Sequence, residues 1–271
     1  MSQALKRPRR VQLEGHSGIE LAGLLQPGRA PSKGALILCH CFTCSKDYKS
    51  LAWLSRALAE LGFTVLRFDF AGLGESEGDF RDTNLSTDVE DALAAARWIE
   101  NETHQRLTAL IGHSMGGAAA ILAASLRKET IPVAVLGTSY KVGDRIRRLL
   151  RPADLRTLEL TGETSISIQD RLFPLTVEFL RDLEQYDLAG TVAGWRCPFM
   201  VIHGTADRIV PLSEGEQLYR AAAQPKSFVA VPGADHLFAA SRSYTAALAQ
   251  ILAGWLAIHS TTEPHEDGEQ K

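Results

Sequence analysis

Hydrophobic positions along this chain fall into two recurring patterns. Short, mostly apolar runs at residues 35–39, 63–68, 107–111, 131–136, 198–203 and 227–231 have the length of strands, and those at 35–39 and 131–136 suit burial on both faces. Between them lie longer stretches with apolar residues at helical spacing, at 48–61, 85–100, 118–126, 213–223 and 244–259. Gly62 follows the first of these where a helix C-cap is wanted, and Asp88 sits near the start of the second, where a negative charge suits the helix dipole. Two further runs, 11–16 and 19–26, meet at Ser17-Gly18 and predict an opening antiparallel hairpin. Strands alternating with helices after such a hairpin predict an α/β chain with a mostly parallel, doubly wound sheet and helices on both faces.

Residues 138–193 break this alternation. Arg145, Arg147, Arg148, Arg151, Arg156 and Arg171 crowd into the stretch, with a hairpin expected around 165–172 and a helix around 175–183. It reads as a small lid inserted into one domain spanning 1–259. The polar tail, 260–271, has no apolar periodicity and is expected to be disordered.

Composition narrows the class only a little. Of 271 residues, 45% are hydrophobic and 23% charged, and the net charge is −3, so nothing argues for nucleic acid or a membrane as partner. Lys6, Arg7, Arg9 and Arg10 make the start basic, but no apolar stretch follows as a secretory signal requires. The four cysteines do not resemble a disulfide framework, and the expected location is cytoplasmic.

Candidate chemistry centres on Leu110-Ile111-Gly112-His113-Ser114-Met115-Gly116-Gly117. An apolar strand runs into Gly-x-Ser-x-Gly and then into an alanine-rich helix, the context a nucleophile elbow needs. Side chains two residues either side of the serine would collide in so sharp a turn, and glycine removes them. Taken alone, the motif also fits a strand turning tightly into a helix. Two other strand ends supply partners: Asp207 follows the 198–203 strand and His236 follows the 227–231 strand. The order Ser114, Asp207, His236 suits a nucleophile, an orienting acid and a general base. Asp235 is a poorer acid, because adjacent side chains on an extended turn point apart. His40 and His113 are rival bases, expected instead to pack or hydrogen-bond. An acyl-transfer site also needs donors for a developing oxyanion, and the backbone N–H groups of Met115 and Phe42 are the candidates.

Over nearly its whole length the chain resembles an α/β-hydrolase-fold serine hydrolase. His40-Cys41-Phe42-Thr43-Cys44-Ser45-Lys46-Asp47, residues 67–78 and residues 111–119 resemble the hydrolase half of bacterial fusions with an OsmC-type peroxide-detoxifying domain. Feruloyl and cinnamoyl esterases are more distant, with glycine where this chain has Cys41 and Cys44. The resemblance implies carboxylic-ester hydrolysis through an acyl-enzyme, with no cofactor, a small-molecule ester as substrate and a functional link to an OsmC-type domain, although none follows Ser260. Thioester cleavage on the same triad, or a non-catalytic binding module, are the alternatives.

The remaining motifs have quieter readings. Cys39, Cys41 and Cys44 with His40 lack a completing ligand pair for a metal site. Cys39 and Cys197 are expected to be buried apolar residues, and Cys41 and Cys44 reduced thiols packing a loop. If they have a redox role instead, ring closure is expected to rotate the Phe42 peptide away and lower activity, with Lys46 favouring the thiolate. Gly72-Leu73-Gly74 lacks the lysine of a phosphate loop and carries acids, so 69–78 reads as support beside the oxyanion loop. The arginines of the insertion read as a solvated face, or as attraction for an anionic substrate.

Overall fold

The computed structural model describes residues 4–259; the tail expected to be disordered lies outside them. Strands β1 (Arg9–Glu14) and β2 (Glu20–Gln26) form the opening hairpin around a single 3₁₀ turn at His16–Gly18. Then come β3 (Ala35–Cys39), α1 (Lys49–Glu60), β4 (Thr64–Phe68), α2 (Leu85–Thr103), β5 (Leu107–His113), α3 (Met115–Ser125) and β6 (Val133–Leu136). After the insertion the pattern resumes with β9 (Phe199–Gly204), α8 (Leu212–Ala221), β10 (Lys226–Val231) and α9 (Arg242–His259). The eight-stranded sheet has the order β1-β2-β4-β3-β5-β6-β9-β10. Only the β1–β2 and β2–β4 pairings are antiparallel; the others are parallel. This is the doubly wound sheet the hydrophobic pattern predicts.

Strand period explains why the central runs are mostly apolar. On β3, Ile37 and Cys39 pack on the face covered by α2 and α3, while Leu36 and Leu38 pack on the face covered by α1 and α9. On β5, Leu110 takes the first face and Ala109 and Ile111 the second. Neither face meets water, so apolar side chains dominate, and the polar ones there find partners, as the Arg67 guanidinium of β4 does at the Lys46 carbonyl. Successive strands therefore end together at one rim, where parallel sheets collect chemistry.

The insertion folds as α4 (Val142–Arg147), α5 (Pro152–Thr161), the hairpin β7 (Glu163–Ile168) with β8 (Arg171–Thr176), α6 (Val177–Glu184) and α7 (Leu188–Ala193). The hairpin and α6 match the expectation to within a few residues. Helices α4, α5 and α7 lie outside the expectation: α4 and α7, six residues each, give too few turns for a periodic signal, and α5 buries only Asp154 and Leu158, too few positions to show one. Local start signals do exist: Pro152 is in the first turn of α5, and the Asp154 carboxylate accepts the Arg151 N–H at 2.9 Å. Among the described residues, no helix is long and apolar enough to cross a membrane.

Candidate active site

Ser114 sits between β5 and α3 with φ 54° and ψ −118°, a backbone conformation that non-glycine residues rarely adopt. The two motif glycines make that turn possible. A Cβ on Gly112 would stand 2.2 Å from the Gly116 carbonyl oxygen, and one on Gly116 would stand 2.2 Å from the His40 carbonyl oxygen. The Ser114 N–H donates to Leu136 O at 2.8 Å, and Thr138 Oγ1 donates to Ser114 O at 3.0 Å. The serine is thus pinned to β6 and to the first residue of the insertion, and its side chain stays partly exposed.

At the neighbouring strand ends, His236 Nδ1 donates to Asp207 Oδ2 at 2.8 Å. Asp207 Oδ1 accepts the N–H groups of Ile209 at 2.9 Å and Val210 at 2.8 Å. Burial pushes the Asp207 carboxyl up, but hydrogen bonds from His203 and His236 outweigh it and hold the carboxyl well below its ordinary range. His203 is fully buried; its Nε2 donates to Val210 O at 2.9 Å and lies 3.4 Å from Asp207 Oδ2. Asp235, the rival acid, is exposed.

His236 is seated against the elbow. His113 Nε2 donates to His236 O at 2.7 Å, and the two rings lie 4.9 Å apart. Gly137 runs past the pair: a Cβ there would lie 3.2 Å from His236 Nδ1 and 3.3 Å from Asp207 Oδ2. Burial, and then the nearness of His236, lower the His113 pKa to about 3, so this rival base is a neutral buried support.

The loop after β3 meets the elbow from the other side. The Cys41 carbonyl accepts two bonds, from His40 Nδ1 at 2.9 Å and from Cys44 N at 3.0 Å. His40 Nε2 accepts the Phe70 N–H at 3.1 Å, which fixes the tautomer with Nδ1 protonated, and burial lowers the His40 pKa. Because the peptide group is planar, holding the Cys41 carbonyl also aims the Phe42 N–H. Among the described residues that N–H donates to no acceptor. Further along, Asp69, fully buried, accepts the Lys46 N–H at 2.5 Å, Lys46 Nζ at 2.8 Å and the Glu75 N–H at 2.9 Å. Residues 69–75 therefore support this loop as expected.

Three expectations need correction. Cys41 and Cys44 are joined as a disulfide, with Cα atoms 5.3 Å apart, and are not free thiols; a three-residue spacing in a turn brings the sulfurs together. Lys46 gives the sulfurs no charge, because its Nζ is committed to Asp69 and, at 2.7 Å, to Glu75. Cys197 is only partly buried, whereas Cys39 is fully so.

The insertion rests on these parts. Ser139 Oγ and the Arg145 guanidinium both engage the buried Glu214 carboxylate of α8. Arg145 is therefore no solvated cation, whereas Arg147, Arg148, Arg151, Arg156 and Arg171 are exposed, as a solvated face requires; of these Arg151 pairs with Asp154 at 2.8 Å and Arg171 lies 5.1 Å over the Phe173 ring. The Phe42 ring touches Phe80 at 5.7 Å and Phe179 of α6 at 5.6 Å, and Phe80 touches Phe173 of β8 at 5.5 Å. The sequence carried no signal for the roles of His203 and Glu214, since each depends on which neighbour the fold supplies.

Comparison with known proteins identifies the family and the fold. The Alpha/beta hydrolase family matches residues 36–251. The esterase domain of a Rhodothermus marinus protein, of known crystal structure, is 35% identical with a TM-score of 0.74, covering 92% of this chain and 98% of that one. Rv2307c of Mycobacterium tuberculosis is 29% identical over 245 residues, 87% of this chain and 74% of the relative. The mitochondrial palmitoyl-protein thioesterase ABHD10 of Pongo abelii is 27% identical over 156 residues, 56% of this chain but only 49% of its own length.

Proposed function

The chain belongs to the alpha/beta hydrolase family, and from that premise we propose that it is a serine hydrolase cleaving carboxylic esters. Ser114 is the nucleophile, His236 the general base and Asp207 the acid that orients it. The observation that carries the reading is the Asp207–His236 hydrogen bond at 2.8 Å, seated beside a serine in a left-handed elbow. His236 Nε2 takes the hydroxyl proton as Ser114 Oγ attacks the acyl carbon. The N–H groups of Phe42 and Met115 receive the developing oxyanion, Met115 from the first turn of α3 where helix donors lack partners. Collapse returns the proton to the leaving alcohol and leaves an acyl-enzyme, which water then cleaves by the same relay.

The 138–193 insertion serves as the lid in this reading, supported by the Phe179–Phe42 contact. Within the family, the sequences at 40–47 and 67–78 support kinship with the hydrolase half of the OsmC-type fusions; the basic start with no apolar stretch after it is what supports a cytoplasmic setting. The esterase relative favours oxygen esters; the thioesterase relative makes thioesters the second reading. Labelling with a fluorophosphonate, followed by turnover of esters and thioesters graded by acyl length, tests both. Labelling and ester turnover abolished in Ser114→Ala are expected. Thioester turnover far above ester turnover would select the second reading, and a wild type that neither labels nor turns over would leave a binding module.

A further inference from the structure

We propose that Cys41 and Cys44 form a redox-responsive pair whose disulfide holds the Phe42 N–H in place, so that oxidation raises and reduction lowers turnover at Ser114. The inference rests on the assignment of Phe42 as an oxyanion donor. Its sign is opposite to what ring closure alone suggests, and the reason is local geometry.

The disulfide coexists with an ordered loop. With the bridge closed, Cys44 N still donates to Cys41 O at 3.0 Å and His40 Nδ1 to the same oxygen at 2.9 Å. Both bonds fix the peptide plane whose other end is the Phe42 N–H. Between the cysteines, Thr43 has φ 60°, a left-handed conformation that a β-branched residue disfavours. Such a conformation persists only where its surroundings over-determine it. The bridge spans Thr43 directly and supplies that constraint. Among the described residues Thr43 Oγ1 bonds to the adjoining Phe42 carbonyl alone, at 2.7 Å, which does not tie the loop to the body of the protein. Once the bridge opens, Thr43 is free to leave the left-handed region. Cys44 then withdraws its N–H from the Cys41 carbonyl, which keeps only the His40 bond, and the aim of the Phe42 N–H loosens.

Access is uneven across the pair. Cys41 is 5% exposed, whereas Cys44 is partly exposed. A dithiol reductant, as thiolate, attacks the Cys44 sulfur; the S–S bond breaks and Cys41 leaves as a thiolate that takes a proton. The second thiol of the reductant attacks the mixed disulfide, frees Cys44 as the thiol and departs as a cyclic disulfide. Two electrons and two protons pass to the protein, and the dithiol is oxidised. A disulfide oxidant such as oxidised glutathione reverses the exchange, yielding two equivalents of glutathione.

The test measures ester turnover before and after dithiothreitol, and again after oxidised glutathione, alongside thiol counts by maleimide labelling in denaturant. Reduction should raise the count from the two free cysteines, Cys39 and Cys197, to all four. With that rise, kcat should fall about tenfold with KM little changed, less than the roughly 10²–10³ lost when an oxyanion donor is removed outright. Re-oxidation should restore it. Cys44→Ala should turn over at the reduced rate and ignore both reagents, while Cys197→Ala should behave as wild type. Unchanged kcat at a count of four would overturn the proposal, as would the same reductant response in Cys44→Ala. Failure of the hydrolase reading looks different: oxidised wild type would take up no fluorophosphonate and cleave no ester, and the redox inference would fall with it.

Discussion

The rim of the sheet and the insertion above it are built by different means. At the rim, each candidate catalytic group follows a strand of the main sheet; β3, β5 and β9 are almost fully buried, while β10, which leads to His236, is a half-buried edge strand. Positions there are held by backbone bonds and close packing, such as Ser114 N–H to Leu136 and the contact of Gly116 with His40. The insertion uses short helices and a two-stranded hairpin. Leu149, Leu160 and Leu172 stand exposed on it, and charged contacts such as Arg145 to Glu214 fasten it to α8. Rigid elements keep reacting atoms within tenths of an ångström, while loosely packed pieces tolerate exchange of the side chains that meet substrate. Activity should therefore depend steeply on the rim, and selectivity on the insertion.

The sharpest break in that comparison is at the rim. Ser114→Ala should reduce ester turnover by at least about 10⁴-fold with unchanged unfolding in urea, and His236→Ala should do nearly as much. The double variant should be little worse than either single one, because the residues act as a unit; additive losses would mean that they do not. Next comes Gly116→Ala. Its new Cβ would meet the His40 carbonyl and displace the loop carrying Phe42, for a loss of about 10²-fold in kcat and about 1–3 kcal/mol of stability from overpacking. A variant with wild-type kcat would show that the elbow and the loop are not in close contact.

The insertion should respond in the opposite sense. Phe179→Leu should cost about 1 kcal/mol of stability yet change the ratio of kcat/KM between short aliphatic and aromatic acyl esters about tenfold. An unchanged ratio would remove the lid from substrate selection. The last effect concerns stability alone and leaves turnover aside: its pH dependence. The buried His113 stays neutral down to about pH 3, whereas the unfolded chain binds a proton near 6.5. The unfolded state thus holds more protons between those values, and stability falls as pH falls, by about 1.4 kcal/mol per unit for this one group. Urea unfolding between pH 6 and 4 should show a shallower slope in His113→Gln than in wild type.

Legibility in the sequence follows the same divide. The central strands were readable because burial on both faces forces mostly apolar runs, and Gly112 and Gly116 were readable because steric need at a tight elbow leaves one residue type. The proximity of Asp207 and His236 followed from placing both at strand ends. The insertion was half readable: the 163–176 hairpin shows alternation, but α4 and α7 span under two turns each. Pairwise roles were not readable at all. Nothing in the string of letters says that Asp69 clasps Lys46, that His40 aims a peptide, or that two cysteines three apart lie bonded; the chain path decides each.

The Asp207 carboxylate divides its labour between its two oxygens. Oδ1 closes the 207–210 turn through two backbone N–H groups, and Oδ2 faces the imidazole. Its orientation is settled when the loop folds, so in the proposed relay His236 would find its carboxylate partner with almost no reorganisation left to undergo. The same arrangement makes the residue hard to replace by an equivalent acid. Glutamate is one methylene longer, and with its far oxygen on His236 it would give up the turn. A lineage exploring this position is thereby confined to aspartate, by folding as much as by chemistry.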